Sequence, residues 1–120
     1  MSDGTNDSAF NVKDAMGRLM NNKKLYEKLL TRFAGEYSDF YGKMRTAVDA
    51  NDVEDASHLA HTMKGLAGNL GAESLQVASL ALESVFKTGS LTPDIEPMME
   101  KFSNELNRAL EEVRAGVDMG

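Results

Sequence analysis

The fold of this chain is indicated best by one run of residues in its middle: His61-Thr62-Met63-Lys64-Gly65-Leu66-Ala67-Gly68-Asn69-Leu70-Gly71. Apolar residues in and before this run recur every three or four positions, at Ala56, Leu59, Ala60, Met63, Leu66, Ala67 and Leu70. That spacing predicts a helix with one buried stripe. At about 100° per residue, His61 points away from the stripe. The run therefore predicts a helix that carries one histidine in the middle of its polar face.

Two glycines follow the histidine inside the predicted helix, Gly65 one turn later and Gly68 two turns later. Each glycine costs a helix interior about 1 kcal/mol relative to alanine. Their position on the histidine's side of the helix offers a reason, because residues without β-carbons let another molecule approach the imidazole. We therefore expect Gly65 and Gly68 to give access to His61, with Lys64 and His58 on the same face.

Apolar residues recur with helical spacing along most of the chain, and no segment alternates with period two over the length of a strand. The predicted helices span about residues 11–20, 22–34, 37–49, 51–71, 72–87 and 92–113. The pattern leaves open whether Gly35 breaks or only bends the chain between the second and third helices. Short joints favour antiparallel neighbours. We expect an all-α fold, an antiparallel four-helix bundle with one or two additional short N-terminal helices.

Composition narrows the class of protein. The 120 residues, 42% of them hydrophobic, are enough for one packed core. We divide them into a flexible N-terminal tail (1–9), the helical bundle (10–115) and a C-terminal tail (116–120). A net charge of −6 argues against nucleic acid as partner. The chain has no cysteine, no signal-peptide pattern and no apolar run of membrane-spanning length. We expect a cytoplasmic monomer that does not bind membranes.

The residues around His61 resemble the signature of histidine-containing phosphotransfer (HPt) domains, the phosphorelay intermediates of two-component signalling. The resemblance rests on His61-x-x-Lys64-Gly65, on Gly68-Asn69-Leu70-Gly71-Ala72, and on Leu75, Ala78 and Leu82-Glu83. Upstream, Leu25-Tyr26-x-x-Leu29-Leu30-x-x-Phe33 is similar to the second helix of that family. The resemblance implies that His61 accepts a phosphoryl group from a receiver-domain aspartate and passes it to another receiver.

The residue types near His61 suit this chemistry in their own right. A free imidazole has a pKa of about 6.5, so an exposed histidine at pH 7 is mostly neutral and offers a nitrogen lone pair to a phosphoryl group. Lys64 can place an ammonium beside a phosphate on the ring. The sequence contains no nucleotide-binding loop, no kinase motif set and no carboxylate cluster for magnesium. We expect a phosphoryl carrier, not a kinase, without a cofactor of its own; the partner receiver brings Mg²⁺.

Glu83 lies 22 residues after His61, on the next predicted helix. If the two helices form an antiparallel hairpin around Gly71, positions 61 and 83 come to similar heights. Several HPt domains place a hydrogen-bonding side chain at this spacing. By that analogy, Glu83 accepts a hydrogen bond from Nδ1 of His61 and leaves Nε2 as the nucleophile. The alternative is that Glu83 is merely solvated.

Receiver docking is expected around His61, at His58, Gly65 and Gly68. We interpret His58 as a residue that tunes this surface and not as the phosphate carrier. Two other functions remain open. One is a helical adaptor that is never phosphorylated. The other is a surface metal site, because Glu54, His58 and His61 fall at i, i+4 and i+7 on one helix face; these side chains face outward, however, and we expect no metal.

Overall fold

The computed structural model describes residues 8–91 and 94–117. Within these ranges it contains six α-helices and no β-strand. The helices are α1 (Val12–Arg18), α2 (Lys23–Glu36), α3 (Phe40–Asp49), α4 (Val53–Leu70), α5 (Glu73–Phe86) and α6 (Ile95–Ala115). The prediction of an all-α fold is confirmed. Helices α1, α2, α4 and α5 begin and end within about two residues of their predicted bounds, which is the usual uncertainty of helix ends.

Helices α4 and α5 form an antiparallel hairpin at the centre of the fold. Asp52 caps α4, since its side chain accepts a hydrogen bond from the backbone N–H of Asp55 at 3.1 Å. Gly71 ends α4 in the left-handed conformation, with φ at 80°, which glycine adopts at least cost. The backbone N–H of Ala72 then donates to the carbonyl of Ala67 at 2.8 Å. The chain therefore reverses sharply, and α5 returns along α4.

The remaining helices complete the bundle around this hairpin. Helix α6 packs against α5 and α2, while α3 packs against α4. The four-helix bundle thus consists of α4, α5, α6 and the consecutive pair α2 and α3, with α1 as the additional short helix. Five of the six buried residues of α4 come from its predicted stripe: Ala56, Ala60, Met63, Ala67 and Leu70; the sixth is Gly68. Burial of each large apolar side chain in facing stripes of this kind contributes roughly 1.5–3 kcal/mol to stability. This burial supplies most of the driving force for folding.

The turn of the hairpin is packed on two sides by residues from the N-terminal part of the chain. The backbone N–H of Asn11 donates to the carbonyl of Gly71 at 2.7 Å. The hydroxyl of Tyr26, a fully buried residue of α2, donates to the carbonyl of Leu70 at 2.8 Å. We call this region, residues 68–72 with Asn11 and Tyr26, the closed end of the hairpin.

The end of the predicted N-terminal tail contacts α6. The Ser8 hydroxyl and the backbone N–H of Ala9 both donate to the carboxylate of Glu112, and Ala9 is buried. Ordered donors satisfied by a carboxylate are not expected of a frayed segment, so Ser8 and Ala9 pack with the bundle. Residues 1–7 of the predicted tail lie outside the described residues.

The structure decides the form of the join between α2 and α3, which the sequence left open. Gly35 lies within α2 and does not break it. The helix ends one residue later, at Glu36. The next residue, Tyr37, stacks on Phe33 with ring centroids 6.0 Å apart and also contacts Phe40, with ring centroids 5.7 Å apart. Phe40 in turn packs on Phe102 of α6, at 6.2 Å. Aromatic packing against a distant helix thus accompanies this turn, and a local pattern could not reveal it.

Two further predicted segments lie partly outside the described residues. Thr92 and Pro93 were expected to open the last helix; they are not described, and α6 begins at Ile95. The predicted C-terminal tail is described only as far as Val117.

Candidate functional site

His61 in the middle of α4 lies opposite Glu83 on α5. Nδ1 of His61 and Oε2 of Glu83 are 2.7 Å apart. Gly68 and Gln76 form a second contact between these helices, closer to the turn. Both pairs are centred on residue 72 of the chain, as expected of two antiparallel helices joined there. The hairpin therefore brings positions 61 and 83 together.

Glu83 is a buried carboxylate surrounded by cationic and donor groups. Its side chain is only 3% exposed. The ammonium of Lys64 donates to Oε1 at 2.7 Å, and the ammonium of Lys87 lies 3.4 Å from Oε2, the oxygen that also contacts His61. A buried charge is costly unless it is paired and hydrogen-bonded. The hydrogen bond from Lys64, aided by that from His61, holds the pKa of Glu83 down at about 2, although burial by itself would raise it.

The ionised carboxylate determines the tautomer of the histidine. A carboxylate can only accept a hydrogen bond, so we assign the proton to Nδ1 of His61, which donates to Glu83. The lone pair of the neutral ring then lies on Nε2. The His61 side chain is 64% exposed. The site therefore holds an exposed ring in an orientation in which Nε2 can act as a nucleophile.

The two lysines differ in how firmly they are held. Lys64 was expected beside the ring as a phosphate-stabilising charge, but its ammonium contacts Glu83 and its side chain is only 27% exposed. Lys87, which the sequence analysis missed, is 64% exposed and makes the longer contact. It follows Glu83 by four residues on α5, the spacing at which opposite charges pair on a helix. That spacing was the signal that could have revealed it.

The two glycines after His61 also differ. A β-carbon at Gly65 would meet no atom within 4 Å, so this residue leaves open space on the face of α4 that carries His61. Gly68 is buried, and a β-carbon there would come 2.7 Å from Nε2 of Gln76 on α5. The expectation that Gly68 gives access to the imidazole is therefore corrected, since its missing β-carbon makes room for the neighbouring helix.

The sequence matches the family model described as Hpt domain over residues 28–116, from within α2 to the end of α6. The chain belongs to the Hpt domain family. These are the histidine-containing phosphotransfer domains that the sequence resembles, so the resemblance is confirmed. Hpt domains are phosphocarrier modules of two-component phosphorelays rather than kinases, and they interact with receiver domains of hybrid kinases and response regulators.

A solved structure supports the same fold for this Hpt domain. It is the crystal structure of the HPT domain from an Hpt sensor hybrid histidine kinase from Shewanella. The two chains are 20% identical and align with a TM-score of 0.80, over 89% of this chain and 92% of the other. No curated protein matches the sequence significantly. No helix in the described residues is long and apolar enough to cross a membrane.

The second histidine of the Hpt domain lies beside the first but in a different setting. His58 is exposed, and it lines with His61 a shallow groove of about 540 Å³. The groove is bordered by Val53, Glu54, Ser57, Glu83, Phe86, Lys87 and Gly89. Among residues 8–91 and 94–117, no acidic side chain pairs with His58 as Glu83 pairs with His61. Only His61 therefore has a fixed ring orientation.

The metal-binding alternative rests on Glu54, His58 and His61 of α4. In the part of the chain that is described, no group of three histidine, aspartate or glutamate side chains lies close enough to hold a metal ion. Glu54, His58 and His61 share a helix face without converging on one point.

Proposed function

We propose that His61 is the phosphoryl carrier of this Hpt domain. It accepts the group from the phosphorylated aspartate of one receiver domain and passes it to the aspartate of another. The observation that carries the proposal is an exposed imidazole whose Nδ1 lies 2.7 Å from the buried carboxylate of Glu83. That contact leaves Nε2 as a neutral nucleophile directed to solvent.

The transfer step follows from this arrangement. The lone pair of Nε2 on His61 attacks the phosphorus atom, and the bond between phosphorus and the aspartate oxygen breaks. The bonding electron pair leaves with the aspartate carboxylate, while Nδ1 keeps its proton toward Glu83. The second transfer is the same step in reverse, with another aspartate as acceptor. The receiver supplies the Mg²⁺ that stabilises charge on the phosphoryl oxygens, so this chain needs no cofactor.

The receiver approaches over the exposed face of α4. Gly65 leaves space on one side of His61, and His58 lies on the other side, in the groove that also contains Lys87. Lys87 is the more exposed of the two cations near the ring. Its charge favours the approach of an acidic receiver site. A small contact of this kind supports a transient complex between two monomeric domains.

The test is phosphotransfer from a receiver domain that has been phosphorylated with acetyl phosphate and Mg²⁺. The chain contains only two histidines, so His61→Gln and His58→Gln form a matched pair in which one histidine remains. We expect label on the wild type and on His58→Gln, and none on His61→Gln. The label should be acid-labile and alkali-stable, as a phosphoramidate bond is.

Two other results would change the proposal. If His61→Gln took up label and His58→Gln did not, His58 would be the carrier. If no variant took up label from any of a broad panel of receivers, the relay role would be rejected in favour of the unphosphorylated adaptor.

A further inference from the structure

We propose that Glu83 keeps the proton on Nδ1 of His61 through the whole phosphorylation cycle, and thereby holds the phosphohistidine in its most readily transferred form. This inference rests on the proposed function of His61. Glu83 thereby sets the lifetime of the phosphorylated state.

The bond that must break in transfer or hydrolysis joins phosphorus to Nε2 of His61. When an acceptor oxygen attacks the phosphorus atom, the P–Nε2 bond breaks and its electron pair returns to Nε2. If Nδ1 carries a proton, the leaving group is neutral imidazole. If Nδ1 has lost its proton, the leaving group is the far more basic imidazolate, and departure is slow. The lifetime of the phosphohistidine therefore depends on whether Nδ1 stays protonated.

Glu83 is placed to decide this. Its Oε2 lies 2.7 Å from Nδ1, and its side chain is 3% exposed, so its charge acts with little screening by solvent. Phosphorylation at Nε2 converts the ring with its Nδ1 proton into a cationic phosphoimidazolium. An ionised carboxylate in hydrogen-bond contact stabilises that cation directly.

The groups around Glu83 maintain its negative charge. Lys64 of α4 donates to Oε1, and Lys87 of α5 lies near Oε2. Other ionisable groups near the ring are Glu54 and His58, which line the groove with His61. Lys64 and Lys87 both favour the ionised carboxylate, so the counter-charge is present throughout the neutral pH range.

The proton balance of the relay is then simple. In the form that attacks phosphorus, His61 carries one proton, on Nδ1; after phosphorylation the ring is cationic with the same proton, and after transfer it again carries only that proton. No proton enters or leaves the ring in either direction. A neutral glutamine at position 83 would accept the same hydrogen bond without stabilising the cation.

The experiment uses phosphoramidate as the phosphoryl donor, so that no receiver is required. Nε2 of His61 attacks its phosphorus atom, the P–N bond of phosphoramidate breaks, and ammonia leaves. All variants carry His58→Gln, so that every phosphohistidine signal belongs to His61. The half-life of the phosphohistidine is measured by ³¹P NMR at a series of pH values, with and without Glu83→Gln.

We expect equal half-lives in acid, where Nδ1 is protonated in both proteins. As the pH rises, hydrolysis changes from fast to slow when Nδ1 loses its proton. The midpoint pH of this change should be lower in the Glu83→Gln protein than in the parent protein by about one pH unit or more. At pH 8 its phosphohistidine should then survive roughly tenfold longer than that of the parent protein.

Glu105→Gln is the matched control. Glu105 on α6 is also a largely buried carboxylate, 11% exposed, paired with Lys101 at 2.7 Å and Arg108 at 3.4 Å. The substitution Glu105→Gln removes the same charge from a similar setting on another helix, where the carboxylate pairs with Lys101 and Arg108. It should leave the pH dependence of phosphohistidine hydrolysis unchanged. A midpoint that is the same in the parent protein, Glu83→Gln and Glu105→Gln would overturn the inference and leave the proposed function intact.

Two further outcomes complete the test. If His61 took up no phosphoryl group from either phosphoramidate or a phosphorylated receiver, the proposed function itself would fail. If Glu83→Gln did not fold, as judged by circular dichroism, the role of Glu83 would be tested on the parent protein alone. In that case a hydrolysis midpoint equal to that of free phosphohistidine would refute the role of Glu83.

Discussion

The α4–α5 hairpin is built in two ways, at its closed end and at its middle. At the closed end, glycines let backbone and side chains approach closely, and a β-carbon at Gly71 would come 2.5 Å from the carbonyl oxygen of Asn11. At the middle, the same two helices are joined by a charged cluster around Glu83, and His61 is open to solvent. The closed end leaves no room for an added atom, whereas the middle leaves room for a partner.

On this single pair of helices, the residues that stabilise the fold and the residues that surround His61 therefore occupy different regions. The closed end sets the register of the hairpin, and the register places position 61 opposite position 83. Substitutions at the closed end should therefore act first on folding. Substitutions on the exposed face in the middle should act on phosphotransfer and hardly on folding.

The largest effect on stability is expected from Gly71→Ala. Gly71 has a φ of 80°, which costs a residue with a β-carbon about 1–2 kcal/mol, and the new methyl group would clash with Asn11. We expect the free energy of unfolding to fall by about 2–4 kcal/mol, measured by urea denaturation.

Gly89→Ala is the control for this substitution. Gly89 also has a φ of 80°, but a β-carbon there would meet no atom within 4 Å. The free energy of unfolding of Gly89→Ala should therefore fall only by the cost of placing a residue with a β-carbon at positive φ, about 1–2 kcal/mol. Equal losses in the two variants would mean that the contact with Asn11 does not limit packing at the closed end.

A smaller effect is expected from Tyr26→Phe, which removes the hydrogen bond to the carbonyl of Leu70. Because Tyr26 is fully buried, the loss should cost about 1–2 kcal/mol at neutral pH. Tyr37→Phe, on the half-buried tyrosine that directly follows α2, is a suitable control. A loss no greater than that of the control would show that the Tyr26 hydroxyl contributes little to the closed end.

The same tyrosine predicts a pH dependence. Burial, with a smaller effect from the charge of Glu112, raises the pKa of Tyr26 from 10.0 to about 12. The folded state thus favours the neutral phenol. The contribution of Tyr26 to the free energy of unfolding is therefore complete below pH 10.0 and is lost as the pH rises to about 12. Between these values the wild type should lose stability more steeply than Tyr26→Phe. Parallel losses would contradict the assignment.

Much of the hairpin was predictable because its signals are local. Asp52 and Gly71 mark the ends of α4 through their own side chain and backbone preferences, and the apolar stripe identifies the buried face. The position of Glu83 follows from these, since an antiparallel pair with a known turn has a known register. That Glu83 is buried and contacts Lys64 depends on side-chain packing between helices, which sequence spacing does not describe.

The correction at Gly68 has this cause. Gly65 and Gly68 look alike on a helical wheel, yet only Gly68 faces α5 closely enough to be buried. The end of α2 coincides with the contact of Phe40 and Phe102, residues far apart in the sequence. The four-residue spacing of Glu83 and Lys87 is visible in the sequence, but such pairs are common on solvated helix faces, so the spacing alone does not show that Lys87 contacts a buried carboxylate.

Gly65→Ala should give the smallest change in stability. It is also the sharpest test of the exposed face of α4 beside His61. A β-carbon at Gly65 meets no atom, and alanine is the better helix former, so the free energy of unfolding should rise by about 0.5–1 kcal/mol. The same methyl group occupies the face one turn after His61, where a receiver must approach. Phosphotransfer from a receiver should therefore slow, while labelling by phosphoramidate, which needs far less room, should not. If transfer from the receiver stayed at the wild-type rate while stability rose, the receiver would not approach over Gly65, and the groove at His58 and Lys87 would become the better candidate for the docking surface.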